Sequence, residues 1–191
     1  MALLRVINRL FQPRYLLVTN IGSCAVLMGL GDAAVQGVEK VTGTSTQPYD
    51  WERTARLAAT GLMLGPFNHY WYSMLDRVLP SVTVLTVGKK ILADQTVAAP
   101  CFAITFFMGT GILEGQSVKS SWNEFTDKFW AVYKADWALW PAAQAINFTF
   151  IPGQFRVVYV CGVTLCWNTF LSYYKHKDKL QKKALNAKEP H

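Results

Sequence analysis

Charge is scarce in this chain. Only 16% of its 191 residues are Asp, Glu, Lys or Arg, whereas 51% are hydrophobic, which excludes an intrinsically disordered polar chain and is unusual for a soluble domain. Histidine and cysteine are equally sparse. The three histidines stand at 69, 176 and 191 and the four cysteines at 24, 101, 161 and 166, with no CxxC and no His-paired spacing among them, so no zinc or dithiol signature is present. Each cysteine lies in an apolar segment and reads as a small buried hydrophobe. No nucleophile and base pair, metal cluster or phosphate-cradling loop can be assembled. The expectation is a protein that is not an enzyme, with no catalytic residue, no cofactor and no metal. Gly29 to Ala34 matches the GxGxxA fingerprint, and Asn147-Phe148-Thr149 matches a glycosylation acceptor. The first lacks a preceding strand and both lie inside apolar runs, so neither carries weight.

Long hydrophobic runs are what the chain has in abundance. Mean hydropathy is +0.15, and seven Trp, eight Tyr and eleven Phe fit a protein whose rings gather where hydrocarbon meets headgroups. Leu16 to Val38 holds one charge, Asp32, in 23 residues. That length crosses a hydrocarbon core of roughly 30 Å at 1.5 Å per residue. Leu57 to Leu75 is uncharged but interrupted by Gly65-Pro66, where a kink is expected. Ile91 to Leu113 is a third span, with Asp94 near its start. Ala135 to Ile151 and Val157 to Tyr174 follow, divided by Pro152, Gly153 and Arg156. They read either as two spans or as one span preceded by a Pro-broken, partly re-entrant helix. Between them and the third span, Trp122, Phe125, Phe129 and Tyr133 alternate with Asn123, Glu124, Asp127 and Lys128 at helical spacing. This predicts an interfacial amphipathic helix, opened by a capping box from Ser121 to Glu124.

The fold class is therefore all-α: a transmembrane helical bundle of four spans over residues 16–174, the last preceded by a Pro-broken helix. A basic N-terminal segment, 1–15, and a lysine-rich tail, 175–191, flank it. The partner this implies first is the lipid bilayer. In residues 1–15, Arg5, Arg9 and Arg14 face one side and Leu3, Ile7, Leu10 and Phe11 another, as in a mitochondrial targeting segment, or simply as a basic flank of the first span. With four spans, 12 Lys or Arg would lie on the side of both termini and six on the other, which puts both ends in the cytosol or matrix. The motifs Gly61 to Gly65 and Gly111 to Gly115 are GxxxG, which favours close helix packing and self-association.

The segment from Tyr133 to Pro152 reads YKADWALWPAAQAINFTFIP and mixes membrane character with polar groups. Asp136, Trp140, Gln144 and Asn147 fall along one helical face, which should point into the bundle. With Asp32, Gln36, Asp94 and Gln95 they form a polar interior. At membrane depth such groups either pair between helices or line a water-filled path. Asp94 is expected at a helix start, with its carboxylate near the dipole, and Asp32 beside Arg156 or a Trp indole. His69, next to Tyr70, Trp71 and Tyr72, reads as part of an interfacial aromatic belt. The tail carries Lys175, Lys177, Lys179, Lys182, Lys183 and Lys188, suited to topogenic charge, anionic lipid or RNA phosphates.

GDAAVQ at 31–36, GPFNHYWYSMLDR at 65–77, KKILADQTVAAP at 89–100 and YKADWALWPAAQAINFTFIPGQFRV at 133–157 together resemble the Mpv-seventeen and 22-kDa peroxisomal membrane protein family. Trp137, Trp140, Pro141, Gln144, Asn147, Phe148 and Pro152 stand at that family's spacing. Tyr133, in place of a common Trp, and Gly153, in place of bulkier residues, depart from it. The details YKADW, WPAAQ and LEGQ look most like the mitochondrial inner-membrane branch. That resemblance implies a four-span bundle that supports assembly and stability of the mitochondrial ribosome through its large subunit, and hence translation in the organelle. The family at large implies channel-like behaviour for some members, in peroxisomal or mitochondrial membranes. It brings no catalytic residue.

Overall fold

The computed structural model describes residues 9–43, 45 and 47–169, all helices and connecting turns. Helix α1 spans Leu16–Val41, α2 Trp51–Val78, α3 Val84–Leu113 and α4 Val118–Phe150. A 3-10 turn, Gly153–Phe155, leads into α5, described over residues 156–169. Three starts are fixed by side-chain oxygens that accept an orphan amide of the first turn: Asp50 for α2, Thr83 for α3 and Ser117 for α4. Among the described residues two helices, α1 and α3, are long and apolar enough to cross a membrane.

Several boundaries differ from the sequence reading. The cap of α4 is Ser117, not Ser121. Ser121 lies a turn inside, fully buried against Gly111. The amphipathic stretch Trp122 to Tyr133 is not a separate helix, because α4 runs unbroken from Val118 through Pro141 to Phe150. A proline removes one amide donor and crowds the carbonyl four residues back, and here the flanking turns hold the helix. Pro66 is likewise carried inside α2. The proline that does change the backbone is Pro100. Ahead of it, Asp94–Ala98 widens to a π turn in the middle of α3, and Ala99 N–H bonds to Asp94 O. An i→i−5 turn relieves the ring's clash with the preceding turn. Asp94 therefore sits mid-helix and not at a helix start.

The helices alternate in direction. Along α1 and α2, Gly29 meets Ala58, Ala25 meets Gly61 and Ile21 meets Gly65, an antiparallel pair. A β-carbon on Gly61 would lie 2.7 Å from the Ala25 Cα, and one on Gly65 2.6 Å from the Ile21 Cα, so both glycines are required for this approach. The second GxxxG is also engaged within the chain: Gly111 abuts Ser121, and Gly115, at φ 78°, makes the α3–α4 turn. Self-association would therefore need other surfaces. Tyr133 of α4 reaches Gln95 of α3, and Phe125 meets Phe107, so these two also run antiparallel. Helix α5 begins beside Asp76, at the end where Phe11 packs on Phe155, then runs parallel to α1 past Cys24 and Gly31. Residue 169 thus heads for the end opposite residues 9–15, where four spans with the chain ends together would bring it back to the same end.

The bundle is apolar outside and polar inside. Val18 is 72% exposed and Val26 60%, whereas Asn20, Asp32, Gln36, Asn68, Asp94, Gln95, Gln144 and Asn147 are all buried. The alternation yields a topology test. A protease site inserted in the 42–50 loop and a tag at the C-terminus should be cut from the same side of the membrane, and a site in the 79–83 loop from the other. A C-terminal tag cut together with the 79–83 site would rule out the alternation of α5.

Candidate functional site

Three polar nests lie along the bundle axis, and each is built from residues far apart in sequence. The first joins α1 to α2. Asp32, whose side chain is wholly buried, takes Thr54 Oγ1 at 2.6 Å and Gln36 Nε2 at 2.7 Å on Oδ2, while Arg53 Nε stands 2.7 Å from Oδ1. That last contact is an ion pair without well-aligned hydrogen-bond geometry. Gln36 also accepts from Asp50 N–H at 2.8 Å and donates to Asp50 O at 3.0 Å, which ties the α1–α2 loop to α1. Arg53 extends the nest to Glu39 at 3.0 Å. The partner of Asp32 is thus Arg53 and not Arg156 or an indole. Asp32 and Gln36 share one helix face, one turn apart, so a single nest uses both.

The second nest lies at mid-bundle. The π turn presents Asp94 inward, where Trp71 Nε1–H donates to Oδ1 at 2.9 Å and Gln144 Nε2 to Oδ2 at 2.8 Å. Gln144 also donates to the Tyr72 hydroxyl at 2.7 Å, and Asn147 donates to Gln144 Oε1 at 2.8 Å. Asp94, Gln144 and Asn147 therefore meet as expected, and the indole foreseen for Asp32 goes to Asp94. Gln95 is also buried, but among the described residues neither of its amide atoms has a hydrogen-bond partner, nor has Asn147 Oδ1. Asp136 is only half-buried, and its contact is with Trp140, one turn on. It stands apart from the nest.

The third nest was not anticipated. Asp76 of α2 accepts on a single oxygen, Oδ1, from Lys90 Nζ of α3 at 2.8 Å and from Arg156 Nη1 of α5. Lys90 is 2% exposed and Arg156 6%. Both cations lie 5.4 Å from the Phe148 ring centroid, whose face is electron-rich. In the sequence, Asp76-Arg77 and Lys89-Lys90 mark only the ends of apolar runs. Opposite charges flanking one short loop were the available signal.

The remaining signature residues have structural positions. Phe148 lies in the core with Tyr72, Leu75, Val87 and Val157, and Trp140 packs against that core. Trp137 is exposed, edge-on to Tyr133. Pro141 sits half-buried inside α4, and Pro152 precedes the turn into α5. Arg9 and Arg14 are exposed, with Arg14 over the Tyr15 ring. Arg5 and the six tail lysines lie outside the described residues. His69 accepts from Asn20 Nδ2 at 3.0 Å, an interhelical contact in addition to its place among aromatic rings. Only Cys24 and Cys161 of the cysteines are buried. Cys101 and Cys166 are exposed.

Apolar outer faces around a polar, cross-linked interior define a helical membrane protein held together by buried hydrogen bonds and ion pairs. A family model described as Mpv17 / PMP22 family matches residues 111–172. Mitochondrial inner membrane protein Mpv17 of Bos taurus is 35% identical over 180 residues, covering 93% of this chain and 99% of that protein. Mpv17-like protein of Xenopus laevis is 30% identical over 88% of this chain and 81% of its own length, and Peroxisomal membrane protein 2 of Bos taurus 31% identical over 83% and 82%. No solved structure matches. The chain belongs to the Mpv17 / PMP22 family of membrane proteins.

Removing the Asp32 carboxylate leaves Arg53, Thr54 and Gln36 without their shared acceptor. Asp32→Ala should therefore cost about 2 kcal/mol, below the usual figure for a buried pair because Arg53 can rehydrate. Arg56→Ala, which breaks only surface pairs with Glu52 and Asp50, should cost well under about 1 kcal/mol. Thermal unfolding in mild detergent measures both. Equal midpoints for the two variants would remove Asp32 from the support of the bundle.

Proposed function

We propose that the protein is an integral, non-enzymatic protein of the mitochondrial inner membrane that supports assembly and stability of the mitochondrial ribosome, and hence mitochondrial translation. The names of the Mpv17 relatives support that membrane; the peroxisomal relative supports a peroxisomal membrane as the alternative address. The observation that carries the functional reading is the direction of α5. It brings the chain toward the end that holds Lys40, Arg53 and Arg56, and the six-lysine tail follows in sequence from there. Arg9 and Arg14 belong to the other end, and Arg5 precedes them in sequence. Six lysines outweigh three arginines under the positive-inside rule, so the tail end faces the matrix, where the large subunit and its RNA are found. The polar nests support a scaffold role for the bundle, because both oxygens of Asp94 and of Asp32 are already engaged by the protein. In this reading all five alternating helices cross the bilayer, an odd number that sets residues 9–15 and the tail on opposite sides.

The tail is the element to test. Lys175, Lys177, Lys179, Lys182, Lys183 and Lys188 replaced together by Gln should leave membrane insertion intact and reduce co-sedimentation with the large subunit. The wild-type association should itself fall steeply between low and moderate salt, as phosphate contacts do. Full association of the Gln variant at raised salt, with normal organellar translation, would take the tail out of the mechanism.

A second reading, a small channel for water, ions or small solutes, is favoured by one observation. The first half of α4 lies alongside residues 95–111 of α3, at the depth of an apolar helix, yet exposes Asn123, Asp127, Lys128 and Lys134. Such a face avoids lipid. The Gln95 side-chain amide, without a hydrogen-bond partner among the described residues, adds a polar group inside the bundle. In reconstituted bilayers, Asp94→Asn should change conductance or ion selectivity if this interior conducts. A wild type without conductance would end the channel reading, and an unchanged conductance in the variant would remove Asp94 from the path.

A further inference from the structure

Cys24 of α1 and Cys161 of α5 are 137 positions apart in sequence, yet their sulfurs lie 2.8 Å apart inside the core. Both side chains are buried, and Tyr72, which holds Gln144 of the central nest, belongs to the same cluster. A disulfide needs a sulfur separation of about 2.05 Å, so each sulfur has to move only about 0.4 Å. Further along the same two helices the backbones approach closely, a β-carbon on Gly31 meeting the Leu165 Cα at 3.6 Å, so α1 and α5 are packed together beyond the pair. Cys101 and Cys166 sit on exposed faces and lack such a partner arrangement.

We propose that Cys24 and Cys161 form a reversible disulfide that covalently joins the first helix to the last, with a small peroxide as oxidant. A bulky thiol–disulfide reagent does not fit a site this enclosed, whereas hydrogen peroxide is neutral and close to water in size. One sulfur attacks a peroxide oxygen, the O–O bond breaks and water leaves, giving a sulfenic acid. The second sulfur attacks the first, the S–S bond forms, the S–O bond breaks, and the second water carries away the thiol proton. Two thiols lose two electrons in all, and one peroxide becomes two waters. Oxidation closes a loop that spans most of the chain, which is the kind that constrains the unfolded state most. It also prevents α5 from separating from α1 beside Tyr72. The inference is independent of whether the bundle serves ribosome assembly or conduction.

The test uses the full-length protein in membranes with Cys101→Ser and Cys166→Ser, so that only the pair remains. After brief exposure to hydrogen peroxide and quenching, the protein is denatured in detergent and its free thiols are counted with a maleimide mass tag. Two tags are expected before peroxide, none after it, and two again after dithiothreitol, with the cross-linked peptides identified by mass spectrometry. With Cys24→Ser added, the sulfenic acid formed on Cys161 has no resolving thiol, so after quenching and denaturation dimedone should label this variant about tenfold more than the protein that keeps both thiols. Two tags that survive peroxide, or tags lost without recovery by dithiothreitol, would overturn the proposal. Equal dimedone labelling with and without Cys24 would do the same.

Discussion

A polar group in a hydrocarbon medium has to find its partner inside the chain, and this constraint orders the whole bundle. Lipid supplies no hydrogen bonds, so each buried donor or acceptor left alone costs several kcal/mol. The outward faces are accordingly rich in Val, Leu, Ile and Met, and the interior sets Asp, Asn, Gln, Lys and Arg among apolar core residues such as Phe148, Leu75 and Val157. In water this inversion would unfold the chain. In a bilayer it makes the polar residues the specific contacts, since hydrophobic burial no longer favours one helix neighbour over another. Asp32, Asp94 and Asp76 each join helices that apolar packing alone would not distinguish.

The backbone irregularities follow from the same constraint. Pro100 forces the turn before it to open, and the resulting π turn rotates Asp94 toward Trp71 and Gln144 while α3 continues apolar on either side. A regular helix at this point would leave no slack to aim that carboxylate, and π turns of this kind concentrate at special sites for that reason. Pro66 and Pro141 produce no such opening, because each lies inside a helix whose neighbouring turns hold it. Proline content therefore indicates where a helix is weakened. Only the surrounding contacts decide whether it bends, opens or continues.

Much of this was legible in the sequence, and the reasons for the rest are physical. The apolar runs located α1 almost to its ends, and the spacing of Gln144 and Asn147 gave their common inward face. Periodicity is a property of one helix, however, and partner choice is a property of two. Nothing local says that Asp32 meets Arg53 across a loop or that Asp76 meets Arg156 across 80 residues. The capping box from Ser121 does not form because Ser117, one turn earlier, already caps the helix where the chain leaves the Gly115 turn. The direction of α5 escaped for a similar reason: charge counting presupposes the number of crossings that it is then used to orient.

The distribution of the nests also says which parts of the bundle are held most firmly. At one end Asp32 binds α1 to α2, and at the other Asp76 gathers α2, α3 and α5 through two cations on one oxygen. Two positive charges around a single carboxylate leave an excess of charge. The Phe148 ring offsets part of it by offering its negative face to both, and Asp76 itself keeps contact with the surface, being about a third exposed. Asp94 then links α2, α3 and the C-terminal half of α4. The N-terminal half of α4 has none of these. It rests on α3 through the Phe107–Phe125 ring contact, the packing of Ser121 on Gly111 and the Tyr133 hydroxyl, its other ring contacts run along the helix, and its ion pair, Glu124 with Lys128, lies within the helix itself. Aromatic contacts tolerate sliding better than a buried ion pair, because they lose little energy over small displacements. The amphipathic half of α4 is therefore the element whose position in the membrane depends most on what it meets outside the chain.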